Sequence, residues 1–241
     1  MRTRITTLAL AASLIAASSA SAQTHFQFVS GGNTTAYGYA SGYGSFNVAV
    51  GPYSGIMGTG SSAQNVVLNC VDFFHGVSNG QGWNANLTAL TTASNSSLWG
   101  QTRGGSGDIT LYKQAAYLSS LYGASGVTQN DIKNIQITIW DLFSPGVRSS
   151  MFGTQTATTT GISHAYSWWQ QQANLNAGAM DMTGWFVVTD QNKAYSNSVQ
   201  EFLMYNPATG TTATPEPASL ALFGTGFVGL VAFRSRRKRT S

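Results

Sequence analysis

The chain has 241 residues, of which only 8% are charged, with a formal net charge of +4 and a single cysteine. The positive charge belongs to the two ends, because residues 23–214 hold five basic and seven acidic residues, a net charge of −2. This segment therefore lacks the basic patch that a nucleic-acid-binding protein needs. Its one thiol excludes an internal disulfide, and its length suits one domain with a hydrophobic core.

The N terminus has the features of a secretory signal peptide. Two arginines precede an apolar run over residues 5–17, and the small residues Ala20, Ser21 and Ala22 follow. Positive charge, a short apolar stretch and an Ala-x-Ala site in this order are typical of export through the Sec translocon. We predict a signal peptide over residues 1–22, with cleavage between Ala22 and Gln23.

The first part of the mature chain has the pattern of β-strands. Short runs of strand-forming residues alternate with connections rich in glycine, serine and asparagine. The predicted strands cover residues 25–29, 45–50, 66–74 and 83–90. In the third strand, the two-residue alternation of strands places Val66, Leu68, Cys70 and Phe74 on one face. We therefore expect Cys70 to lie among apolar side chains.

A polar connection over residues 91–107 leads to the first of three predicted helices. Asp108 is suited to cap this helix, and Gly123 ends it. Its apolar residues recur at spacings of three and four, as expected for one face of a helix. These residues are Leu111, Ala115, Leu118 and Leu121.

The second predicted helix begins after Thr128, because an acid at Asp131 completes a capping pattern. Ile132, Ile135, Ile139 and Leu142 form its apolar face, and Ser144 with Pro145 ends it. A third helix is predicted at residues 163–177, and strands return at residues 185–189 and 199–205. The predicted fold class is α+β, with a β-rich antiparallel sheet or sandwich that carries a helical insertion.

The C terminus has three features in a fixed order. The triplet Pro215, Glu216, Pro217 precedes an uncharged apolar run over residues 218–233, and a basic cluster follows at residues 234–239. The run is a little shorter than the ~20 residues that usually span a bilayer, and the basic cluster is expected to stay on the cytoplasmic side. We therefore predict a transmembrane helix at residues 218–233 that anchors a domain of residues 23–213 outside the cytoplasm.

This order over residues 214–241 resembles the PEP-CTERM sorting signal of Gram-negative bacteria. The resemblance implies recognition by an exosortase, a membrane enzyme similar to transpeptidases. It also implies a link to exopolysaccharide or to the biofilm matrix. The mature domain is then expected in the periplasm, on the cell surface or outside the cell.

Two motifs inside the mature domain contain residues with reactive side chains. Residues 68–73, Leu-Asn-Cys-Val-Asp-Phe, carry the only thiol, Cys70, on a predicted strand. Residues 135–140, Ile-Gln-Ile-Thr-Ile-Trp, place Gln136 in an apolar helix. With the helical residues 113–118 between them, they resemble the thioester domains of bacterial surface adhesins. Asn69 stands where that family often has an aromatic residue, and Thr138 where it has alanine.

The resemblance implies a side-chain thioester between Cys70 and Gln136 that captures amines. The thiolate of Cys70 would attack the carboxamide carbon of Gln136 and expel ammonia, which requires near-attack geometry and exclusion of water. An amine such as a lysine would then replace the thiol, leaving an amide at Gln136. The reaction occurs once per molecule, so the domain is not expected to be an enzyme, and it needs no cofactor.

Three other interpretations of these residues remain open. Cys70 can be an ordinary buried residue, and Gln136 a boundary residue of an amphipathic helix. Cys70 with His75 or His164 can form a cysteine hydrolase pair, although the sequence indicates no third residue to orient the histidine.

The acidic residues of the mature domain do not form a recognisable metal-binding set. Asp72 with His75, and Asp181 with Asp190, are expected to be turn and surface residues. No metal is predicted.

A protein without a reactive bond is the alternative function. Aromatic residues at 37–43 and at Trp168 and Trp169 can stack on sugars if they are exposed. The same fold would then serve as a non-covalent structural or carbohydrate-associated matrix protein.

Overall fold

The computed structural model describes residues 23–32, 34–40, 44–152 and 165–207, which form nine β-strands and three α-helices. The strands are β1 (Gln23–Ser30), β2 (Thr34–Ala40), β3 (Gly44–Val50), β4 (Tyr53–Met57), β5 (Gln64–Cys70), β6 (Gly82–Ala89), β7 (Met151–Phe152), β8 (Trp185–Asp190) and β9 (Phe202–Tyr205). The helices are α1 (Ile109–Ser120), α2 (Gln129–Phe143) and α3 (Tyr166–Asn176). The predicted signal peptide with Ala22, the motif Pro215, Glu216, Pro217 and the predicted membrane helix lie outside the described residues.

Six antiparallel strands close into a barrel in the order β1-β4-β5-β9-β8-β6. The predicted antiparallel sheet is therefore a closed barrel and not a sandwich. Its interior is filled by large apolar side chains from all six strands. They include Phe26, Leu68, Trp83, Val188, Phe202 and Met204, together with Met57 at the end of β4.

A second apolar cluster lies between the outer face of the barrel and the helices. Strand β8 contributes to both clusters, because alternate residues of a strand point to opposite faces. Phe186 and Val188 belong to the barrel interior, whereas Trp185 and Val187 pack with the helices. All six residues of β8 are consequently buried, although the prediction for this strand ended one residue earlier.

Helix α2 lies between the two clusters and starts with the predicted capping box. The Thr128 hydroxyl accepts from the Asp131 main-chain N–H, and the Asp131 carboxylate accepts from the Thr128 main-chain N–H. The predicted apolar residues Ile132, Ile135 and Ile139 join the helical cluster. On another face, Ile137 and Trp140 reach the barrel interior. The helix therefore holds Gln136 between the barrel interior and the helical cluster.

Three strands form a second sheet in the order β3-β2-β7. Three strands, β2, β4 and the two-residue β7, were not predicted. In β4, Gly55 interrupts the apolar pattern, but a Cβ at this position would lie 2.8 Å from Leu68 Cδ1. The glycine thus permits close packing of β4 against β5 and does not mark a turn.

Several predicted boundaries are wrong. Strand β5 ends at Cys70, so Phe74 is not on its buried face and is 75% exposed. The connection 91–107 is not simply polar, since it holds a 3-10 helix at Ser97–Gln101 that buries Trp99. Asp108 stands at the N-cap of α1, but its side chain makes no capping hydrogen bond. None of the described helices has the length and apolar character needed to cross a bilayer.

Candidate reactive site at Cys70 and Gln136

The structure brings Cys70 and Gln136 into direct contact. Cys70 is the last residue of β5 and pairs with Phe202 of β9, while Gln136 lies in the middle of α2. The Gln136 side chain Nε2 donates a hydrogen bond of 2.8 Å to the main-chain oxygen of Cys70. Cys70 is 1% exposed and Gln136 is fully buried. The contact joins the barrel interior to the central helix.

Both ends of the Gln136 carboxamide are held by hydrogen bonds. Its Nε2 binds the Cys70 oxygen, and its Oε1 accepts a hydrogen bond of 2.9 Å from the Tyr122 hydroxyl. Tyr122 lies just beyond the end of α1 and is itself buried. Burial raises the pKa of Tyr122 well above its usual value, so the phenol stays protonated and keeps donating. These two contacts fix the plane of the carboxamide.

The Cys70 thiol has two polar contacts of its own. Trp140 Nε1 donates to Cys70 Sγ over 3.3 Å, and Sγ donates to the main-chain oxygen of Asp72 over 3.2 Å. Trp140 follows Gln136 by one helical turn, so both side chains project from the same face of α2. Burial raises the pKa of the Cys70 thiol to about 12, although the Trp140 N–H acts in the opposite direction. The thiol is therefore neutral at neutral pH.

A cavity of about 310 Å³ adjoins the thiol. We call it the Cys70 cavity, and its lining includes Tyr53, Cys70, Asp72, Phe73, His75 and Trp140. One part of the wall is aromatic, since the rings of Phe73 and Trp140 lie 5.1 Å apart in an edge-on arrangement. Another part of the wall is polar and is formed by Asp72 and His75. The cavity therefore combines an apolar wall with two titratable groups beside the thiol.

Asp72 connects the cavity to the charged interior of the fold. Its Oδ2 lies 2.7 Å from His75 Nδ1 and 2.9 Å from Arg103 Nε. Its Oδ1 accepts hydrogen bonds from the main-chain N–H groups of Phe74 and His75. The sequence indicated no third residue to orient His75, and the structure places the Asp72 carboxylate beside its imidazole. Asp72 is also more than a surface residue, because its side chain is only 10% exposed.

Behind Arg103 lies a buried carboxylate, Glu201. Its oxygens accept from the Arg103 main-chain N–H at 2.9 Å, from the Tyr112 hydroxyl at 2.6 Å and from the Thr189 hydroxyl. Desolvation raises the pKa of Glu201, and these donors together with the Arg103 charge oppose that rise. The Arg103 guanidinium also donates to the main-chain oxygens of Lys193 and Val199. We call Asp72, Arg103 and Glu201 the charged cluster.

The remaining predicted positions are dispersed. Asp181 and Asp190 organise separate turns by accepting main-chain N–H groups, and no three metal-binding side chains cluster anywhere in the part of the chain that the structure describes. Trp169 is buried, whereas Trp168 is 37% exposed and Tyr37 is 56% exposed. His164 lies outside the described residues.

Comparison with known families identifies the C-terminal signal. Residues 213–238 match the family model of the PEP-CTERM protein-sorting motif. This match confirms the predicted sorting signal and implies an exported protein whose C terminus an exosortase recognises. No curated protein and no solved structure matches the chain. The resemblance to thioester adhesins therefore depends on the residues themselves.

Three features of the site were not predicted from the sequence. Tyr122 has no motif around it, and only the packing of α1 against α2 brings its hydroxyl to Gln136. Arg103 lies in a connection that was expected only to be polar. Trp140 had a usable signal, because its spacing of four residues from Gln136 places both on one helical face.

Proposed function

We propose that this exported domain forms a thioester between Cys70 Sγ and Gln136 Cδ and uses it to capture an amine covalently. The observation that carries the proposal is the buried contact between the two residues. Gln136 is buried without charge partners, and its side chain donates a hydrogen bond to the main chain of Cys70, the single cysteine of the chain. This contact places the carboxamide next to the residue that carries the thiol.

The formation step requires few groups, and each is present. As the Sγ–Cδ bond forms and the Cδ–Nε2 bond breaks, the thiol proton goes to the departing ammonia. Negative charge develops on Gln136 Oε1, where the Tyr122 hydroxyl already donates. A donor aimed at such an oxygen stabilises the transition state. The Trp140 N–H, which points at Sγ, stabilises charge that develops on sulfur.

Burial of both residues supports the persistence of the bond. A thioester in water is lost to hydrolysis, and a site closed to water suppresses that reaction. Gln136 is fully buried and Cys70 is 1% exposed, so the bond would be shielded from water, with Cys70 in the wall of the Cys70 cavity. An amine on a flexible side chain, such as a lysine, has the length and shape to enter a cavity of about 310 Å³.

Capture of a lysine would suit a protein that is sorted to the outside of the cell. The amine nitrogen would bond to Gln136 Cδ, and Cys70 would return to a free thiol. The product is an amide link between two proteins, formed once. The role is adhesion or attachment within a matrix, and not catalytic turnover.

Intact mass tests the proposal. The barrel closes within residues 23–207, so residues 23–214 are expected to fold by themselves. This protein should be lighter than its sequence mass by one ammonia. Methylamine should add to Gln136 and release Cys70 for alkylation. Cys70→Ala and Gln136→Ala should each remove the mass deficit, whereas the control Gln114→Ala, on α1, should keep it.

The opposite result favours the non-covalent alternative. If freshly purified protein has its full sequence mass in a buffer without nucleophiles, and its Cys70 is alkylated after unfolding, the thioester does not form. The exposed rings of Tyr37 and Trp168 then support a structural or carbohydrate-associated matrix protein.

A further inference from the structure

The Cys70 cavity holds a group that can move protons at neutral pH. Among the described residues that line it, the titratable side chains are Tyr53, Cys70, Asp72 and His75. Imidazole is the side chain that most readily gains and loses a proton near neutral pH. Burial raises the pKa values of Tyr53 and Cys70, so both groups stay protonated at neutral pH. His75 is thus the group in this wall suited to exchange protons with an incoming amine.

The position of His75 is set by Asp72. The carboxylate is held on one oxygen by two main-chain N–H groups and on the other by Arg103. It faces Nδ1 of His75 at 2.7 Å. Because Nδ1 lies against the carboxylate, Nε2 is the ring nitrogen left to exchange a proton with an incoming molecule. The imidazole side chain is 27% exposed, so molecules from solvent can reach it.

We propose that His75 is the general base of amine capture and that Asp72 is its positioning residue. The inference rests on the proposed thioester. The amine nitrogen bonds to Gln136 Cδ and passes a proton to His75 Nε2. When the Cδ–Sγ bond breaks, the same proton goes to Cys70 Sγ. The products are the amide and the neutral thiol, and no other reactant is needed.

The surroundings of the thiol show why a proton donor matters. Burial raises the pKa of the Cys70 thiol to about 12. A thiolate released into this site is therefore poorly stabilised, although the Trp140 N–H offsets part of the cost. Returning the amine's proton to sulfur avoids leaving a buried charge.

The test compares His75→Gln with the wild-type protein and with His25→Gln as a matched control. His25 lies on β1, and its ring contacts Asn84 and not the Cys70 cavity. All three proteins should show the ammonia deficit. Hydroxylamine, an amine that stays unprotonated near neutral pH, should then react about 100-fold more slowly with His75→Gln, a typical contribution of a general base. The control should react at the wild-type rate.

Rescue by a small base separates a base from a structural role. Free imidazole added to His75→Gln should restore part of the lost hydroxylamine rate. It should leave the rates of the wild type and of His25→Gln unchanged. Equal rates for wild type and His75→Gln would overturn the inference, as would loss of the deficit in His75→Gln alone. Absence of the deficit in the wild type would instead refute the thioester itself.

Discussion

Gln136 and Glu201 are both buried and hydrogen-bonded, but they differ in charge and in what surrounds them. Glu201 is a carboxylate with three donors and the Arg103 cation close by. Gln136 is neutral and has two hydrogen bonds, one from the Tyr122 hydroxyl and one to the main-chain oxygen of Cys70. A buried charge requires a complete set of partners, whereas a neutral amide requires fewer.

The comparison separates two roles within a single buried region. The charged cluster holds the connection after β6 against β9, through Arg103 and Glu201. Within the cluster, Arg103 Nε also lies 2.9 Å from Asp72 Oδ2, which is 2.7 Å from His75 Nδ1. The neutral site holds the two residues of the proposed thioester, Cys70 and Gln136. We therefore expect changes at Gln136 and its partners to alter the chemistry first, and changes in the charged cluster to alter stability first.

The largest expected effect is on the rate of thioester formation in Tyr122→Phe. The substitution removes the donor to Gln136 Oε1 and should slow formation about 100-fold to 1,000-fold, the usual cost of losing one such donor. The measurement is the fraction of newly translated protein that lacks one ammonia at successive times. Tyr117→Phe, on α1, is the control. If Tyr122→Phe forms the bond as fast as Tyr117→Phe, the hydroxyl has no part in the reaction.

The next effect concerns stability and the charged cluster. Arg103→Met leaves Asp72 and Glu201 without their cation and should lower the free energy of unfolding by about 3 kcal/mol, the low end for breaking a buried pair. Lys113→Met, at a partly exposed position on α1, should change it by less than about 0.5 kcal/mol. Urea unfolding in the Cys70→Ala background measures both without any cross-link. If Arg103→Met lowers the free energy of unfolding no more than Lys113→Met does, the distinction between the two regions is contradicted.

The smallest effect is the pH dependence that Glu201 contributes. Because burial raises the pKa of Glu201 in the folded protein, the folded state binds more protons than the unfolded state above the ordinary glutamate value of about 4.3. This contribution to stability is therefore lost as the pH rises through that window. The difference in Tm between wild type and Glu201→Gln should fall with rising pH.

Asp181 provides a control of opposite sign. Main-chain and side-chain hydrogen bonds from Thr183 lower the pKa of this exposed carboxyl. The contribution of Asp181 to stability is present above the pKa that this carboxyl has in the unfolded state, and it is lost as the pH falls. The difference in Tm between wild type and Asp181→Asn should therefore grow with rising pH. If Glu201→Gln shows the same direction as Asp181→Asn, the folded protein does not hold Glu201 as a carboxyl of raised pKa.

The features that the sequence predicted best are local. The capping pattern at Thr128 and Asp131 and the three-to-four spacing of α2 involve residues within one or two helical turns, and the structure confirms both. The sorting motif is likewise a contiguous signal, and the family match at residues 213–238 confirms it. Strand β6, with alternating apolar and polar residues, and strand β8, which begins with four apolar residues, were both predicted close to their observed bounds.

The features that only the tertiary structure decided depend on distant residues. Closure of the barrel joins β1 to β6, and nothing near either strand in sequence specifies that pairing. The family resemblance linked Cys70 with Gln136, but their hydrogen bond spans 66 positions. Tyr122, Asp72 and Arg103 acquired their roles because the packing of α1, α2 and the barrel buried their polar groups, and buried polar groups must find partners.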